Sequence, residues 1–208
     1  MIKICGMREP ENVLEVAELK PDLMGFIFYR YSPRYATEIL DPEIMDEFPH
    51  HIRKTGIFVN ADFEEITRTI RKYSLDIVQL HGNESPDLCR RLRETGIEVI
   101  KAFNLKGIDD FRLCSEFIPC TNYFLFDSPT ANYGGSGYKY NWKILNKYEL
   151  GHPFFLSGGI SPRDVREILN ITNPAFYGID LNSRFEIEPG LKDIETLKKF
   201  MKKIRLKD

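Results

Sequence analysis

Met1-Ile2-Lys3-Ile4-Cys5-Gly6 opens the chain as an alternating strand cut off by a glycine. Successive side chains on a strand point to opposite faces. Ile2 and Ile4 therefore share one face, and Lys3 and Cys5 share the other. The isoleucine face suits packing under helices. The thiol stands at the strand's carboxyl end, which in an α/β barrel is where chemistry is done. A cysteine taken alone is more often a small core residue, so its role depends on what surrounds the strand.

Strand then helix repeats outward from that opening. Strands are expected over residues 2–5, 23–28, 54–59, 76–81, 97–103, 123–127, 153–157 and 175–181. Helices are expected over 11–19, 37–48, 108–117, 141–148 and 193–204, with others opening after Asp62, at Ser85-Pro86 and at Ser161-Pro162. Pro10 and Pro86 suit a first helical turn and Ser85 an N-cap. Val13, Leu14, Val16 and Ala17 supply the apolar positions of the first helix. Regular alternation argues for a parallel sheet with helical crossovers. Eight units in 208 residues argue for a closed (β/α)8 TIM barrel, an α/β fold, in a single domain spanning 1–208. An open doubly wound sheet is the alternative, and it seldom needs eight evenly spaced units.

Hydrophobic residues make up 42% of the chain and charged residues 29%, with a formal net charge of −2. That balance offers no basic surface for nucleic acid. Lys198, Lys199, Lys202 and Lys203 share their segment with Asp193 and Glu195 and suit the wet face of a helix. None of the four cysteines forms a C-x-x-C pair, so no zinc or thioredoxin-type motif is indicated. No apolar run is long enough for a membrane span, and no secretory leader precedes the first strand. The expectation is a soluble cytoplasmic protein with reduced thiols and no nucleic-acid or membrane partner.

Polar residues at the carboxyl ends of the strands are the candidates for chemistry: Cys5, Gln79, His81, Asp127, Ser157 and Asp180. His81 suits a satisfied core histidine as well as a functional one. Barrel closure makes the first and last strands neighbours, so Asp180 is expected to pair with Lys3, which needs a partner if buried. Ser157-Gly158-Gly159-Ile160 and Asp180-Leu181-Asn182-Ser183 follow the seventh and eighth strands, where barrels often bind phosphate. Gly134-Gly135-Ser136-Gly137 lies in the longest loop and suits a hinge or lid. Arg34, in Ser32-Pro33-Arg34-Tyr35, is a cation near the same mouth that could grip a carboxylate.

These motifs resemble the phosphoribosylanthranilate isomerase family nearly end to end. The likeness runs through Lys3-Ile4-Cys5-Gly6, Gly25-Phe26-Ile27-Phe28, Ser32-Pro33-Arg34-Tyr35, Gly56-Ile57-Phe58-Val59-Asn60 and Val78-Gln79-Leu80-His81-Gly82. It continues through Phe126-Asp127, the glycine loop, Leu156-Ser157-Gly158-Gly159-Ile160, Asp180 with Ser183, and Pro189-Gly190-Leu191-Lys192-Asp193. Each motif is modestly specific, but their order, one per barrel unit, is highly specific. The resemblance implies an Amadori rearrangement of N-(5-phosphoribosyl)anthranilate, with Cys5 as general base and Asp127 as general acid. It implies Arg34, His81 and Asp180 as substrate-binding residues, and Gly158, Gly159 and Ser183 as phosphate-binding residues. No cofactor or metal is implied, since the substrate's own nitrogen is the electron sink.

A free thiol titrates at about 8.5, so Cys5 needs help to act near neutrality, and Lys3 on its face is the candidate helper. Asp127 must keep its proton, and Tyr123 and Leu125 are its expected neighbours. Two departures stand out. Asn182-Ser183-Arg184-Phe185-Glu186 replaces the usual Ser-Ser-Gly-Val-Glu, so Arg184 is added as a candidate phosphate ligand. Tyr140-Asn141-Trp142 replaces Phe-Asp-Trp, where Asn141 still suits a helix cap. The rivals are another phosphosugar barrel enzyme and a non-catalytic phosphate-binding barrel. Cys5 argues against the related histidine-pathway isomerase, where an aspartate is expected. Cys5 and Asp127 together argue against mere binding. A monomer and a homodimer are both left open.

Overall fold

A computed structural model of the chain describes residues 1–45, 48–128 and 140–206. Eight parallel strands close into a barrel in sequence order. They are β1 (Ile2–Cys5), β2 (Leu23–Ile27), β3 (Arg53–Phe58), β4 (Ile77–Leu80), β5 (Glu98–Asn104), β6 (Tyr123–Asp127), β7 (Phe154–Leu156) and β8 (Phe176–Leu181). The seam joins β8 to β1, with Ile179 beside Ile2 and Asp180 beside Lys3. The (β/α)8 TIM barrel expected from the alternation is the fold observed.

Two apolar layers follow from the strand period. Ile2 and Ile4 face outward into the layer between sheet and helices. Leu23, Ile77, Ile100, Leu125 and Phe155 face inward and fill the barrel's interior. Lys3 and Cys5 are buried on the inward face, as the alternation requires. The interior is therefore apolar below and polar at the mouth, where the strands end.

The outer layer holds α1 (Pro10–Glu18), α2 (Phe63–Tyr73), α3 (Pro86–Glu94), α4 (Val165–Leu169) and α5 (Ile194–Arg205). Side-chain caps start three of them: Asp62 accepts from Glu65 N, Ser85 from Leu88 N and Asp193 from Thr196 N. On α1 the buried residues are Asn12, Val13, Val16 and Ala17, while Leu14 turns out to solvent.

Three expected helices take another form. Over 37–48 the described residues contain only a short 3₁₀ turn, Pro42–Met45. Pro42 disfavours the α conformation at Asp41, and the Asp41 carboxylate accepts the Glu43 N–H instead. Over 108–117 the chain runs as 3₁₀ turns from Ile108 to Cys120. There Pro119 donates nothing, and Cys114, Ser115 and Thr121 donate to the carbonyls of Asp110, Arg112 and Phe117. The third, Trp142–Lys147, is also 3₁₀, capped by Asn141 as expected. These tight segments present narrow faces, and aromatic rings fill the space behind them. Phe103 meets Phe117 at 5.3 Å, Phe111 meets Phe126 at 5.4 Å and Tyr148 meets Phe154 at 5.2 Å between ring centres. An antiparallel ribbon, β9 (Glu186–Glu188) with β10 (Leu191–Lys192), was not expected and lies between β8 and α5.

A buried lysine locks the loops after β3 and β4. Lys101 Nζ donates to Gly82 O at 2.7 Å, Leu80 O at 3.3 Å and Glu84 Oε2 at 3.1 Å. Glu84 in turn accepts from the N–H groups of Asn60 and Gly82. Removing one member of such a pair strands the other charge. Lys101→Met is expected to lower unfolding stability by about 3–5 kcal/mol, measured by urea denaturation, and Lys101→Met with Glu84→Gln to recover part of the loss.

Candidate active site

The mouth of the barrel holds a cavity. Cys5, Gln79, His81, Asp127, Ser157, Gly158, Gly159, Asp180 and Ser183 all line it, so of the candidate residues only Arg34 and Arg184 lie elsewhere. Ile27, Ile57, Val59 and Ile160 form its apolar wall, with Tyr29, Ser32 and Asn182 beside them.

Cys5 is brought to the wall by β1. A Cβ added at Gly25, its neighbour on β2, would lie 3.0 Å from Cys5 Sγ and 2.9 Å from Ile57 Cδ1, so this position accepts only glycine without displacement. Burial pushes the Cys5 thiol up, and the nearby Lys3 and Lys192 ammonium groups offset this only in part. Lys3 is thus the cationic neighbour anticipated from the strand pattern, but its pull is weaker than burial. For Lys3 itself, burial disfavours the charge, yet Asp180 and Cys5 outweigh it and the ammonium is held above its ordinary value. Lys3 Nζ donates to Asp180 Oδ1 at 2.8 Å, the pair expected from closure. Ser157 Oγ donates to Asp180 Oδ2 at 3.4 Å.

Asp127 ends β6 on the opposite side of the cavity. Its Oδ1 accepts from Ser128 N at 2.7 Å, and its Oδ2 lies 3.2 Å from His81 Nε2. Gln79 Nε2 lies 2.8 Å from His81 Nδ1. His81 is therefore joined to both Gln79 and Asp127, a pairing that depends on β4 and β6 flanking β5 in the closed barrel. Tyr123, the anticipated neighbour, sits four residues back on β6 and packs instead against Phe155 and Tyr177. The polar neighbour from beyond the loop is Tyr140, whose hydroxyl reaches Phe126 O at 3.5 Å. Burial, and next the Asp127 charge, push that phenol well above its ordinary value.

Gly158 has φ +89°, and a Cβ there would meet Ser128 Oγ, lie 2.5 Å from Ser128 N and lie 2.7 Å from Asp127 Oδ1. The glycine after β7 is required both by its backbone conformation and by its packing against Asp127. Gly159 also has positive φ, at +68°. Their exposed backbone edge and Ser183 face the same cavity.

Arg34 and Arg184 do not line that cavity. Arg34 is held behind it, donating through Nε and Nη2 to Glu186 at 2.9 and 2.6 Å. Lys192 Nζ donates to the same carboxylate at 2.5 Å and to Asn182 Oδ1 at 2.9 Å. Burial alone would raise Glu186, but Arg34 and Lys192 outweigh it and hold the carboxyl below its usual range. Burial pushes the Lys192 ammonium down, against the pull of Glu186. Glu186 and Lys192 were not singled out from the sequence, although Lys192 lies in a matching motif and Glu186 keeps the final Glu of the segment that departs from the family pattern. Arg184 lies in the 3₁₀ turn Ser183–Phe185 with an exposed side chain. The Gly134-Gly135-Ser136-Gly137 segment lies outside the described residues.

Among the described residues no group of three or more His, Cys, Asp or Glu side chains could hold a metal ion. No described helix is long and apolar enough to cross a membrane.

The family model described as N-(5'phosphoribosyl)anthranilate (PRA) isomerase matches residues 2–203. The N-(5'-phosphoribosyl)anthranilate isomerase of Parabacteroides distasonis is 46% identical over 205 residues, covering 98% of this chain and 93% of that protein. The crystal structure of phosphoribosyl anthranilate isomerase from Thermotoga maritima superposes with a TM-score of 0.87 at 34% identity, covering 98% of each chain. A phosphoribosyl anthranilate isomerase solved in complex with reduced 1-(o-carboxyphenylamino)-1-deoxyribulose 5-phosphate superposes with a TM-score of 0.80 at 30% identity, covering 98% of this chain and 97% of that one. A closed barrel with a thiol and a carboxylate facing one cavity, matched from end to end by these proteins, belongs to the N-(5'-phosphoribosyl)anthranilate isomerase family, the isomerases that carry out the Amadori rearrangement of tryptophan biosynthesis.

Proposed function

We propose that Cys5 is the general base and Asp127 the general acid of this rearrangement, acting on N-(5'-phosphoribosyl)anthranilate bound across the cavity. The observation that carries the reading is that β1 and β6 bring the thiol and the carboxylate to one cavity, with Gly158, Gly159 and Ser183 on its rim. Asp127 protonates the furanose ring oxygen while the anthranilate nitrogen pushes the ring open to a Schiff base. Cys5 then removes the proton at C2', and the enolamine tautomerises to the 1-deoxyribulose ketone. The backbone N–H groups at Gly158, Gly159 and Ser183 hold the phosphate. Glu186 occupies Nε and Nη2 of Arg34, which leaves the Nη1 edge to take the anthranilate carboxylate. Asp180 supports the base by holding Lys3 beside it, while His81 supports the acid. Arg184 can contribute to the phosphate from outside the cavity wall by its charge alone. The same reading makes the whole chain one catalytic domain working in the cytoplasm without cofactor or metal, as a monomer or homodimer.

Cys5→Ala and Asp127→Asn are each expected to lower kcat by about 10²–10⁴-fold, read from the loss of substrate fluorescence in freshly generated N-(5'-phosphoribosyl)anthranilate. Retention of wild-type turnover by either folded variant would remove that residue from the mechanism.

The base works only after losing its proton, and burial holds the Cys5 thiol above its ordinary value. The thiolate fraction therefore grows with pH, and kcat/KM is expected to rise through the neutral range by up to about tenfold per pH unit. Lys3→Met removes a cation that favours thiolate and leaves the Asp180 charge uncompensated, and both changes push the thiol further up. The variant should lose more activity at pH 7 than at pH 9. A loss equal at both values would leave Lys3 a structural role only.

Gly158→Ala is expected to displace Ser128 and Asp127 and to lower kcat at least tenfold, while Gly151→Ala, at a glycine with open space around it, leaves kcat unchanged. Equal effects at the two positions would show that the turn strain, not contact with Asp127, is what matters.

A further inference from the structure

We propose that Gln79 is a positioning residue for the proton chemistry at Asp127. Its amide donates to His81 Nδ1 when the ring is neutral and turns to accept from Nδ1–H when the ring is cationic. On the reading of Asp127 as the acid, on which this rests, the His81–Asp127 pair then stores the proton delivered to the substrate.

Gln79 is fully buried on β4. Its Nε2 lies 2.8 Å from His81 Nδ1, and its Oε1 has no hydrogen-bond partner among the described residues. An amide nitrogen can only donate. In this arrangement His81 Nδ1 therefore carries the lone pair, and the ring proton sits on Nε2, which faces Asp127 Oδ2 at 3.2 Å. Asp127 Oδ1 already accepts from Ser128 N. Both oxygens then receive donors, which is how a carboxylate is held, not a carboxylic acid.

To supply an acid, the pair needs one more proton, and His81 Nδ1 is the open position. A proton there would confront the Gln79 amide N–H unless the amide rotates to present Oε1. Either orientation makes one hydrogen bond to Nδ1 and leaves the other amide atom without a partner, so rotation forfeits no hydrogen bond. A glutamate would hold the cationic ring permanently, and an apolar residue would hold neither state.

The charges around the pair leave this choice to Gln79. Lys101, from β5, bonds the carbonyls of Leu80 and Gly82 on either side of His81 and is paired with Glu84. Tyr140 beside Asp127 stays a neutral phenol. Across the cavity are the Cys5 thiol and the Lys3–Asp180 pair, whose charges offset one another.

The transfer balances. The substrate's ring carbon–oxygen bond breaks with its electron pair on oxygen, and the anthranilate nitrogen pair forms the carbon–nitrogen double bond. Asp127 takes the Nε2 proton of the imidazolium and passes it to that oxygen. His81 is left neutral with its remaining proton on Nδ1 held by Gln79 Oε1, and a proton from water restores the pair.

The test uses the full chain with Gln79→Leu and Gln79→Glu, reading kcat against pH and the ¹⁵N spectrum of the His81 ring. In wild type with the ring neutral, the proton should reside on Nε2. Gln79→Leu should lower kcat by about tenfold to a hundredfold with KM changed less than about twofold, and move the alkaline limb of kcat to lower pH. Gln79→Glu, nearly isosteric, should keep a proton on Nδ1 and move that limb to higher pH. Unmoved limbs, movement in the same direction for both, or a loss that follows unfolding stability alone would overturn the proposal. If Gln79→Leu does not fold, Gln79→Glu decides it. Activity in Asp127→Asn would instead overturn the acid assignment, whereas an inactive Asp127→Asn beside unaffected Gln79 variants would overturn only the role of Gln79.

Discussion

The barrel closes on a buried ion pair. Lys3 and Asp180 occupy facing positions where β1 meets β8, and neither side chain has appreciable contact with water. Placing one charge there without the other would be strongly unfavourable. The pair therefore ties the seam to a single register, because a slip of one residue would turn Lys3 into the apolar layer under the helices. The same requirement sets the site. Once Lys3 faces inward to meet Asp180, the strand period turns Cys5 inward as well, two residues on and at the open end.

Other buried charges at the mouth follow the same rule. Lys101 is compensated by Glu84, and Glu186 by Arg34 and Lys192. Two of these pairs join separate segments, Arg34–Glu186 the loop after β2 to the β9 ribbon and Lys101–Glu84 β5 to the loop after β4, while Glu186–Lys192 ties the ribbon to itself. Loops carry few apolar contacts of their own, so their positions depend on such polar ties. The cost of burying these charges is spread over the rim, and the cavity is lined mainly by neutral groups and by charges with their partners already in place.

The strands were legible because each carries a short apolar run ended by glycine or a polar residue, and because closure into eight units follows from their number. The inward residues were legible for the same reason, since the period of two carries Lys3, Cys5, Gln79 and Asp127 to one face without any tertiary knowledge. The helices were less so. Residues 37–48 have helical composition, yet Pro42 and the Asp41 side chain redirect the backbone, and 108–117 is continued as 3₁₀ turns to Cys120. Pairings across the barrel were the hardest to see. Arg34 reads as an open cation in sequence, but Glu186, 152 positions away, is folded onto it by a ribbon too short to leave a periodic signal. His81 reads as a core histidine or a ligand, and only the placing of β4 and β6 on either side of β5 joins it to Asp127.

That last pairing bears on how the site works at rest. Burial keeps Cys5 as a thiol, while Ser128 N–H and His81 Nε2 direct donors at both oxygens of Asp127. On the proposed roles, the base thus rests with its proton and the acid rests as an acceptor, so each is held in the form opposite to the one its step consumes. A site of this kind turns over through the fraction of molecules in which the protons are exchanged, and neighbouring groups matter by changing that fraction. Lys3 acts on the thiol side, and the Gln79–His81 pair acts on the carboxylate side. Because the two sets of neighbours lie on opposite walls of one cavity and share no side chain, each can be altered without rebuilding the other. The physical separation of β1 from β6 is therefore what allows one barrel mouth to hold a thiol and a carboxylate whose environments differ.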